Sequence, residues 1–169
     1  MLVAHPDDET LWGAGLMLRY PKDWTVICGT IPFHDPERAE KFHDACGVLG
    51  VFESLVVDHS ERAGLIPIPD LSGFDLIVTH NAAGEYGHVQ HKELHHAVKD
   101  LWPDKMLCFG YGAGTPKFKI DLTDREAERK LAALQCYDHK SRTDHGKVKW
   151  QALLDVFSTK YDFWREPYV

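Results

Sequence analysis

Three side chains near the start of the sequence are suited to hydrolysis assisted by a metal ion. His5, Asp7 and Asp8 follow directly after an apolar run at residues 1–3. His5 and Asp8 are three residues apart, a spacing that brings two side chains to one side of a tight turn or first helical turn, whereas Asp7 must point elsewhere. The pattern therefore predicts that His5 and Asp8 hold an ion and that Asp7 faces its water.

A second group of histidines lies in residues 84–96. Helical spacing alone would let any two of His88, His91 and His95 share a metal, and a surface helix rich in histidine is the alternative interpretation. A catalytic zinc site needs about three protein ligands and an open position for water. One histidine from this segment would complete the set that the first motif begins, so the two segments together favour a metal site.

Apolar runs alternate with helical patterns along the chain, which is typical of an α/β fold with a mostly parallel sheet. Ligand sites in such folds lie outside the carboxyl ends of the strands. The aromatic residues at 161–164 are expected to pack on the body of the protein. The predicted strands are residues 2–4, 24–30, 54–57, 74–79 and 106–109, and the predicted helices are 9–20, 36–49, 88–101, 125–137 and 147–161.

Length, charge and cysteine content narrow the function classes. A chain of 169 residues with 44% apolar residues is long enough for one domain with a sizeable core, and we expect residues 1–169 to form a single domain. The formal charge of -7 disfavours a nucleic-acid backbone or an anionic membrane as partner. The scattered cysteines and the lack of a long apolar run predict reduced thiols and a cytoplasmic protein without membrane insertion.

The two motifs resemble those of a known enzyme family. The run Ala4-His5-Pro6-Asp7-Asp8-Glu9-Thr10, followed later by Gly84-Glu85-Tyr86-Gly87-His88 and then His91, is similar to the PIG-L/LmbE-like zinc-dependent de-N-acetylases. Arg38 with residues 49–51 is similar to the family's second helix, and residues 131–141 to its late helix. The resemblance implies a Rossmann-like three-layer sandwich that removes the acetyl group from an N-acetylated amino sugar, such as N-acetylglucosamine, or from a glycoconjugate.

The resemblance also implies a role for each matching residue. The metal is expected to be Zn²⁺, although mixed histidine and carboxylate sites also accept ions such as Fe²⁺. A carboxylate base and an imidazole opposite it would suit acyl transfer at neutral pH. The roles implied are zinc ligation by His5, Asp8 and His91, general base catalysis by Asp7, stabilisation of the developing oxyanion by His88, and substrate contact by Arg38 and Tyr86.

The sequence departs from the family pattern at several positions and leaves alternatives open. Gln90 stands where the family commonly has an aspartate, which removes a negative neighbour that would raise the pKa of His88. Asn81 and Lys41 also replace residues that are often acidic in the family. The alternative function is therefore a catalytically impaired domain that binds sugar or metal.

Other interpretations of single residues also stay open. Asp7 could simply cap the helix that follows it, and His95 and His96 are expected to be supporting or surface groups. Phosphoester hydrolysis at a two-metal site would need bridging carboxylates beyond Asp7, Asp8 and Glu9. The oligomeric state is left open.

Overall fold

The strands of the protein form two sheets that meet side by side. In the three-stranded sheet the order is β1-β2-β3 and every pairing is parallel; in the four-stranded sheet the order is β4-β5-β7-β6, with β4 and β5 parallel and β7 antiparallel to both of its neighbours. Strand β1 lies beside β4. The computed structural model describes residues 1–32, 35, 37–111, 118–137 and 161–165, and its strands are β1 (Leu2–Val3), β2 (Thr25–Cys28), β3 (Glu53–Val56), β4 (Ile77–Thr79), β5 (Met106–Phe109), β6 (Phe118–Asp121) and β7 (Tyr161–Arg165).

The helices begin and end close to the predicted positions. Helix α3 starts one residue later than predicted because His88, in extended conformation, occupies the N-cap position. Helix α4 begins with a capping box, in which Thr123 and Glu126 each bind the other's backbone N–H. The helices are α1 (Asp8–Arg19), α2 (Arg38–Leu49), α3 (Val89–Leu101) and α4 (Asp124–Cys136), with a short 3-10 turn at Pro103–Lys105.

Two apolar cores cover the opposite faces of the strands. One core joins Val3 and Val26 to side chains of α1, α2 and α4, such as Phe42. The other joins Leu2 and Ile27 to side chains that include those of α3. Because successive strand residues point to opposite faces, neighbouring residues such as Leu2 and Val3 enter different cores. This three-layer arrangement confirms the predicted α/β fold with a mostly parallel sheet.

The end of the chain differs from the prediction. The aromatic residues expected to pack on the body belong to β7, which pairs with β5 and β6. Strand β6 itself was not predicted. The helix predicted over residues 147–161 lies outside the described residues, apart from Tyr161, which begins β7.

The cysteines carry free thiols, as predicted. Cys28, Cys46 and Cys108 are buried free thiols, and Cys136 is a partly buried one. Among the described residues, we find no helix whose length and apolar character would let it cross a membrane.

Two glycines near the end of α2 should respond to alanine substitution in opposite ways. Gly47 is helical and a Cβ there would meet nothing within 4 Å, so Gly47→Ala should raise the free energy of unfolding by about 0.5–1 kcal/mol. Gly50 follows the helix with a φ of 80°, so Gly50→Ala should lower that free energy by about 1–2 kcal/mol. Urea denaturation of the two variants measures both changes. Shifts of the same sign would contradict this account of the helix end.

Candidate active site

The turn that follows β1 brings His5 and Asp8 together. The His5 backbone N–H donates to Asp8 Oδ2 at 2.9 Å, and the same oxygen lies 3.3 Å from His5 Nδ1. Asp7 has a φ of 111°, in the left-handed region that residues other than glycine rarely adopt. Its carboxylate forms an ion pair with Arg38, the first residue of α2. The turn thus separates the pair His5 and Asp8 from Asp7.

His91, in the first turn of α3, completes a triangle of ligand atoms. Its Nε2 lies 3.2 Å from Asp8 Oδ2 and 3.3 Å from His5 Nδ1, so the edges of the triangle measure 3.3, 3.2 and 3.3 Å. Ligands placed tetrahedrally at about 2.0 Å from a zinc ion lie about 3.3 Å from one another. The spacing of these three atoms therefore fits one face of a tetrahedral zinc site.

The second nitrogen of each histidine in the triangle has a hydrogen-bond acceptor. His91 Nδ1 lies 2.6 Å from Glu85 Oε2, and His5 Nε2 lies 2.7 Å from Gln90 Oε1. A proton on each of these outer nitrogens leaves the inner nitrogen with a lone pair directed into the triangle. Partners of this kind orient histidine ligands in metal sites. The donor set is therefore suited to a metal ion in its hydrogen bonding as well as in its spacing.

The electrostatics of the triangle depend on Asp8. Its Oδ1 accepts a hydrogen bond of 3.0 Å from the Trp12 indole, which leaves Oδ2 to face the histidines. Burial alone would raise the pKa of Asp8, but His91 and His80 outweigh burial and hold that pKa well below its usual range. Burial alone would lower the pKa of His91, yet Asp8 first and then Glu85 raise it to about 9. The ionised Asp8 carboxylate thus supplies negative charge, and a bound cation would take the place of the proton that this pKa leaves on His91.

His80 forms a second close group with Asp8 and His91, but both of its ring nitrogens are occupied. Its Nε2 accepts a hydrogen bond of 3.0 Å from the Ala4 N–H, and its Nδ1 lies 2.8 Å from Glu85 Oε2. Since a backbone N–H can only donate, Nε2 carries no proton and its lone pair is already bound. His80 therefore supports the triangle from behind and has no lone pair left for a metal.

His88 lies against the triangle on another side. Its ring centroid is 4.6 Å from that of His5 and 4.7 Å from that of His91, and the three residues are close enough to share an ion. Burial, followed by the neighbouring His5 and His91, lowers the pKa of His88 to about 4. Its buried Nδ1 has no hydrogen-bond partner among the described residues. His88 is thus close to the expected metal position as a neutral imidazole.

Asp7 and Arg38 form a partly buried pair beside the triangle. Burial raises the pKa of Asp7 to about 6, while the Arg38 guanidinium opposes that rise. Burial lowers the pKa of Arg38, but Asp7 outweighs it and the net pKa is raised. The contact shows that Arg38, predicted to bind substrate, touches the predicted base directly; its contact with substrate stays a prediction.

Exposed tyrosines flank the site. Tyr86 is 64% exposed, and its ring centroid lies 5.4 Å from that of His91. Tyr111 is 42% exposed, and its ring centroid lies 5.0 Å from that of Trp12, which also neighbours Tyr86 at 6.4 Å. These residues place two solvent-facing aromatic rings at the edge of the site, and the substrate contact of Tyr86 stays a prediction.

Sequence analysis assigned no role to Glu85, His80 and Asn81, although they build the loop after β4. Asn81 Nδ2 donates to the backbone oxygens of Phe109 at 2.9 Å and Tyr111 at 2.7 Å. Its backbone N–H donates to Glu85 Oε1 at 3.0 Å. The position of His80 directly after a strand that ends at the same edge as β1 was the available signal.

Three other histidines are not part of the triangle: His95, His96 and His139. His95 is buried and its Nδ1 lies 3.0 Å from the backbone oxygen of His80, so it is a supporting group as predicted. His96 is exposed on the surface of α3. His139 lies outside the described residues.

The buried carboxylate of Glu9 stabilises the turn at Asp7 by hydrogen bonding. Glu9 accepts a hydrogen bond of 3.0 Å from the Asp7 backbone N–H, one of 2.7 Å from the Tyr137 hydroxyl, and one from the Thr10 hydroxyl. Burial raises the pKa of Glu9 to about 7, although Thr10 and Tyr137 both favour its ionised form. Because Tyr137 directly follows α4, this network connects the predicted base to a distant helix.

Comparison with known sequences gives a distant relative and no family model. No family model matches the chain. The chain is 26% identical over 141 residues to Uncharacterized protein L374 of Acanthamoeba polyphaga mimivirus, a similarity that covers 68% of this chain and 62% of that protein. The chain therefore spans less than two thirds of the length of this relative.

Comparison with solved structures gives strong similarity in fold at low sequence identity. N,N'-diacetylchitobiose deacetylase from Pyrococcus horikoshii has a TM-score of 0.69 at 16% identity, over 97% of this chain and 81% of that one. Conserved protein TT1542 from Thermus thermophilus has a TM-score of 0.68 at 15% identity, over 99% and 93%. GalB, the 4-carboxy-2-hydroxymuconate hydratase from Pseudomonas putida, has a TM-score of 0.62 at 15% identity, over 92% and 82%. The chain has the fold of these proteins.

Removing the Tyr137 hydroxyl should destabilise the protein. Tyr137→Phe takes one donor from the buried Glu9 carboxylate, so we expect the free energy of unfolding to fall by about 1–3 kcal/mol. The matched control is Tyr20→Phe, at a tyrosine that is 54% exposed, where a change below about 0.5 kcal/mol is expected. Chemical denaturation measures both. Equal effects at the two positions would show that the bond to Glu9 contributes nothing specific.

Proposed function

We propose that this protein is a metal-dependent amide hydrolase that removes the N-acetyl group from an amino sugar or a sugar conjugate. The observation that carries the proposal is the triangle of His5 Nδ1, Asp8 Oδ2 and His91 Nε2, whose edges are 3.2–3.3 Å. Membership of the PIG-L/LmbE-like family is part of the proposal. Its support is the pair of sequence motifs together with the fold shared with a chitobiose deacetylase.

Zn²⁺ is the ion that the three ligands suit best. Two imidazole nitrogens and one carboxylate oxygen form a frequent catalytic zinc set, and other divalent ions such as Fe²⁺ accept the same ligands. When bound, zinc would polarise the amide carbonyl and lower the pKa of a water molecule toward about 7. His5, Asp8 and His91 would hold the ion.

Asp7 is the proposed general base. Its pKa of about 6 leaves it ionised at neutral pH and still basic enough to take a proton from the attacking water. Arg38 pairs with the Asp7 carboxylate, so it would position the base while its remaining N–H groups stay available to a substrate oxygen.

His88 and Tyr86 are proposed to face the reacting carbonyl. His88 lies beside both histidines of the triangle, where a ring N–H could donate to the developing oxyanion. A neutral imidazole can supply that hydrogen bond, so the low pKa of His88 is compatible with this role. Tyr86 stands at the exposed edge, where its hydroxyl can reach the substrate.

Three observations support a carbohydrate as substrate. One structural neighbour is a deacetylase of N,N'-diacetylchitobiose, a sugar amide. The exposed rings of Tyr86 and Tyr111 offer flat apolar surfaces beside polar groups, which suits the mixed character of a sugar ring. A neutral sugar also meets no repulsion from a chain of net charge -7.

A second candidate is a domain of the same fold that binds sugar or metal without turnover. The observation that favours it is His88, whose pKa is lowered to about 4, so that it carries no proton for the leaving amine at neutral pH. Calorimetric titration separates the two candidates. Equal affinity for acetylated and free sugar, with no acetate produced, would favour the binding domain.

Metal removal tests the proposed reaction as a whole. Acetate release should be screened over N-acetylated sugars, including nucleotide-linked and lipid-linked ones, with metal content measured in the same samples. Dialysis against a chelator should abolish acetate release, and one equivalent of Zn²⁺ or Fe²⁺ should restore it, because the ion supplies the Lewis acid. Acetate release that continues without metal would overturn the mechanism.

Substitution of Asp7 tests the base. Asp7→Asn should reduce kcat by about 100-fold or more, because an amide cannot take the proton from water, while zinc stoichiometry stays unchanged. Asp23→Asn, at an exposed aspartate, is the matched control and should leave both measurements unaltered. Full activity of Asp7→Asn would refute the assignment of the base.

A further inference from the structure

Gln90 bridges the site to the loop that follows β3. Its Oε1 lies 2.7 Å from His5 Nε2, and its amide NH₂ donates to the backbone oxygen of Glu61 at 2.9 Å. The Glu61 loop is itself fixed, since the backbone N–H of Glu61 donates to the oxygen of Ile31 at 3.3 Å, and Ile31 pairs with Ser60. The amide of Gln90 therefore has the backbone oxygen of Glu61 on one side and His5 on the other.

The direction of each hydrogen bond follows from the Glu61 carbonyl. A carbonyl oxygen can only accept, so the NH₂ end of the Gln90 amide must face it. The oxygen end of Gln90 then faces His5, and His5 Nε2 must carry the proton. With its proton on Nε2, a neutral His5 ring has its lone pair on Nδ1, the atom that lies 3.3 Å from Asp8 Oδ2 and from His91 Nε2.

We propose that Gln90 is a positioning residue that selects the Nε2–H form of His5 and so directs the Nδ1 lone pair to the metal. The inference rests on the metal site of the proposed function. Gln90 does for His5 what Glu85 does for His91, but with a neutral amide in place of a carboxylate. It follows that the two histidine ligands differ in basicity, since a carboxylate partner raises the basicity of its histidine and an amide does so less.

Gln90, which lies between His88 and His91 in the sequence, thus has a role that the sequence motif alone does not reveal. The described hydrogen bonds of the Gln90 side chain are with the ring of His5, in the first motif, and with the backbone oxygen of Glu61. The Gln90 side chain therefore connects α3, the turn after β1 and the loop after β3. Two of these segments, α3 and the turn after β1, carry the expected metal ligands.

Zinc affinity of substituted proteins tests the proposal. Gln90→Met keeps the length of the side chain but loses the bridge, so competition with a chromophoric chelator should show a loss of zinc affinity of about 10- to 100-fold. Gln90→Glu still accepts from His5 Nε2–H but loses its donor to the Glu61 carbonyl, so its zinc affinity should lie between those of Gln90→Met and the wild type. Gln135→Met, at an exposed position of α4, is the matched control and should bind zinc as wild type does. Wild-type zinc affinity in Gln90→Met would overturn the proposal.

The protonation of His5 gives a second readout that needs no variant. Long-range proton–nitrogen NMR spectra of the wild-type protein loaded with zinc should show a protonated Nε2 and a coordinated Nδ1 at His5. A coordinated Nε2 would overturn the proposal even if Gln90→Met loses metal for structural reasons.

Failure of this inference and failure of the proposed function give different results. Zinc binding that depends on Gln90, without acetate release from any acetylated sugar, would support the positioning role and overturn the deacetylase reaction. Acetate release by a protein whose zinc affinity does not change when Gln90 is substituted would support the deacetylase reaction and overturn the positioning role.

Discussion

The buried carboxylate of Glu85 is the group on which the geometry of the site depends. Its Oε2 lies 2.8 Å from His80 Nδ1 and 2.6 Å from His91 Nδ1, and its Oε1 accepts from the Asn81 N–H at 3.0 Å. Burial would raise the pKa of Glu85, but His80 and His91 together lower it, so the carboxylate stays ionised. A buried charge of this kind is stable only when donors replace its water. Glu85 thereby sets the orientation of both His91 and His80.

The sequence was sufficient to predict the parts of the site that depend on local spacing. His5 and Asp8 are three residues apart, and the structure brings their side chains together at 3.3 Å. The alternation of apolar runs predicted the fold class and placed both motifs after strands of a parallel sheet. Helix boundaries also followed from local signals, so the first three helices begin within two residues of the predicted positions.

The parts that could not be predicted depend on partners far away in the chain. The state of His80 is decided by the Ala4 N–H, 76 residues earlier, and the sequence around His80 contains no sign of that contact. The contact of Gln90 with His5 spans 85 residues in the same way. Strand β7 was missed for a related reason: it is a short strand that lies between β5 and β6, both distant in the sequence, and its own residues show no periodic pattern.

The placement of β1 beside β4 has a consequence for the evolution of this fold. From β1 the chain winds outward through β2 to β3 with α1 and α2 on one face, then returns to β4 and winds the other way with α3 on the opposite face. The connections that leave β1 and β4 therefore diverge and open a crevice between them. The order of the strands creates this crevice, whichever residues line it. A fold does not fix a reaction, and the proteins that share this one include a hydratase and a deacetylase.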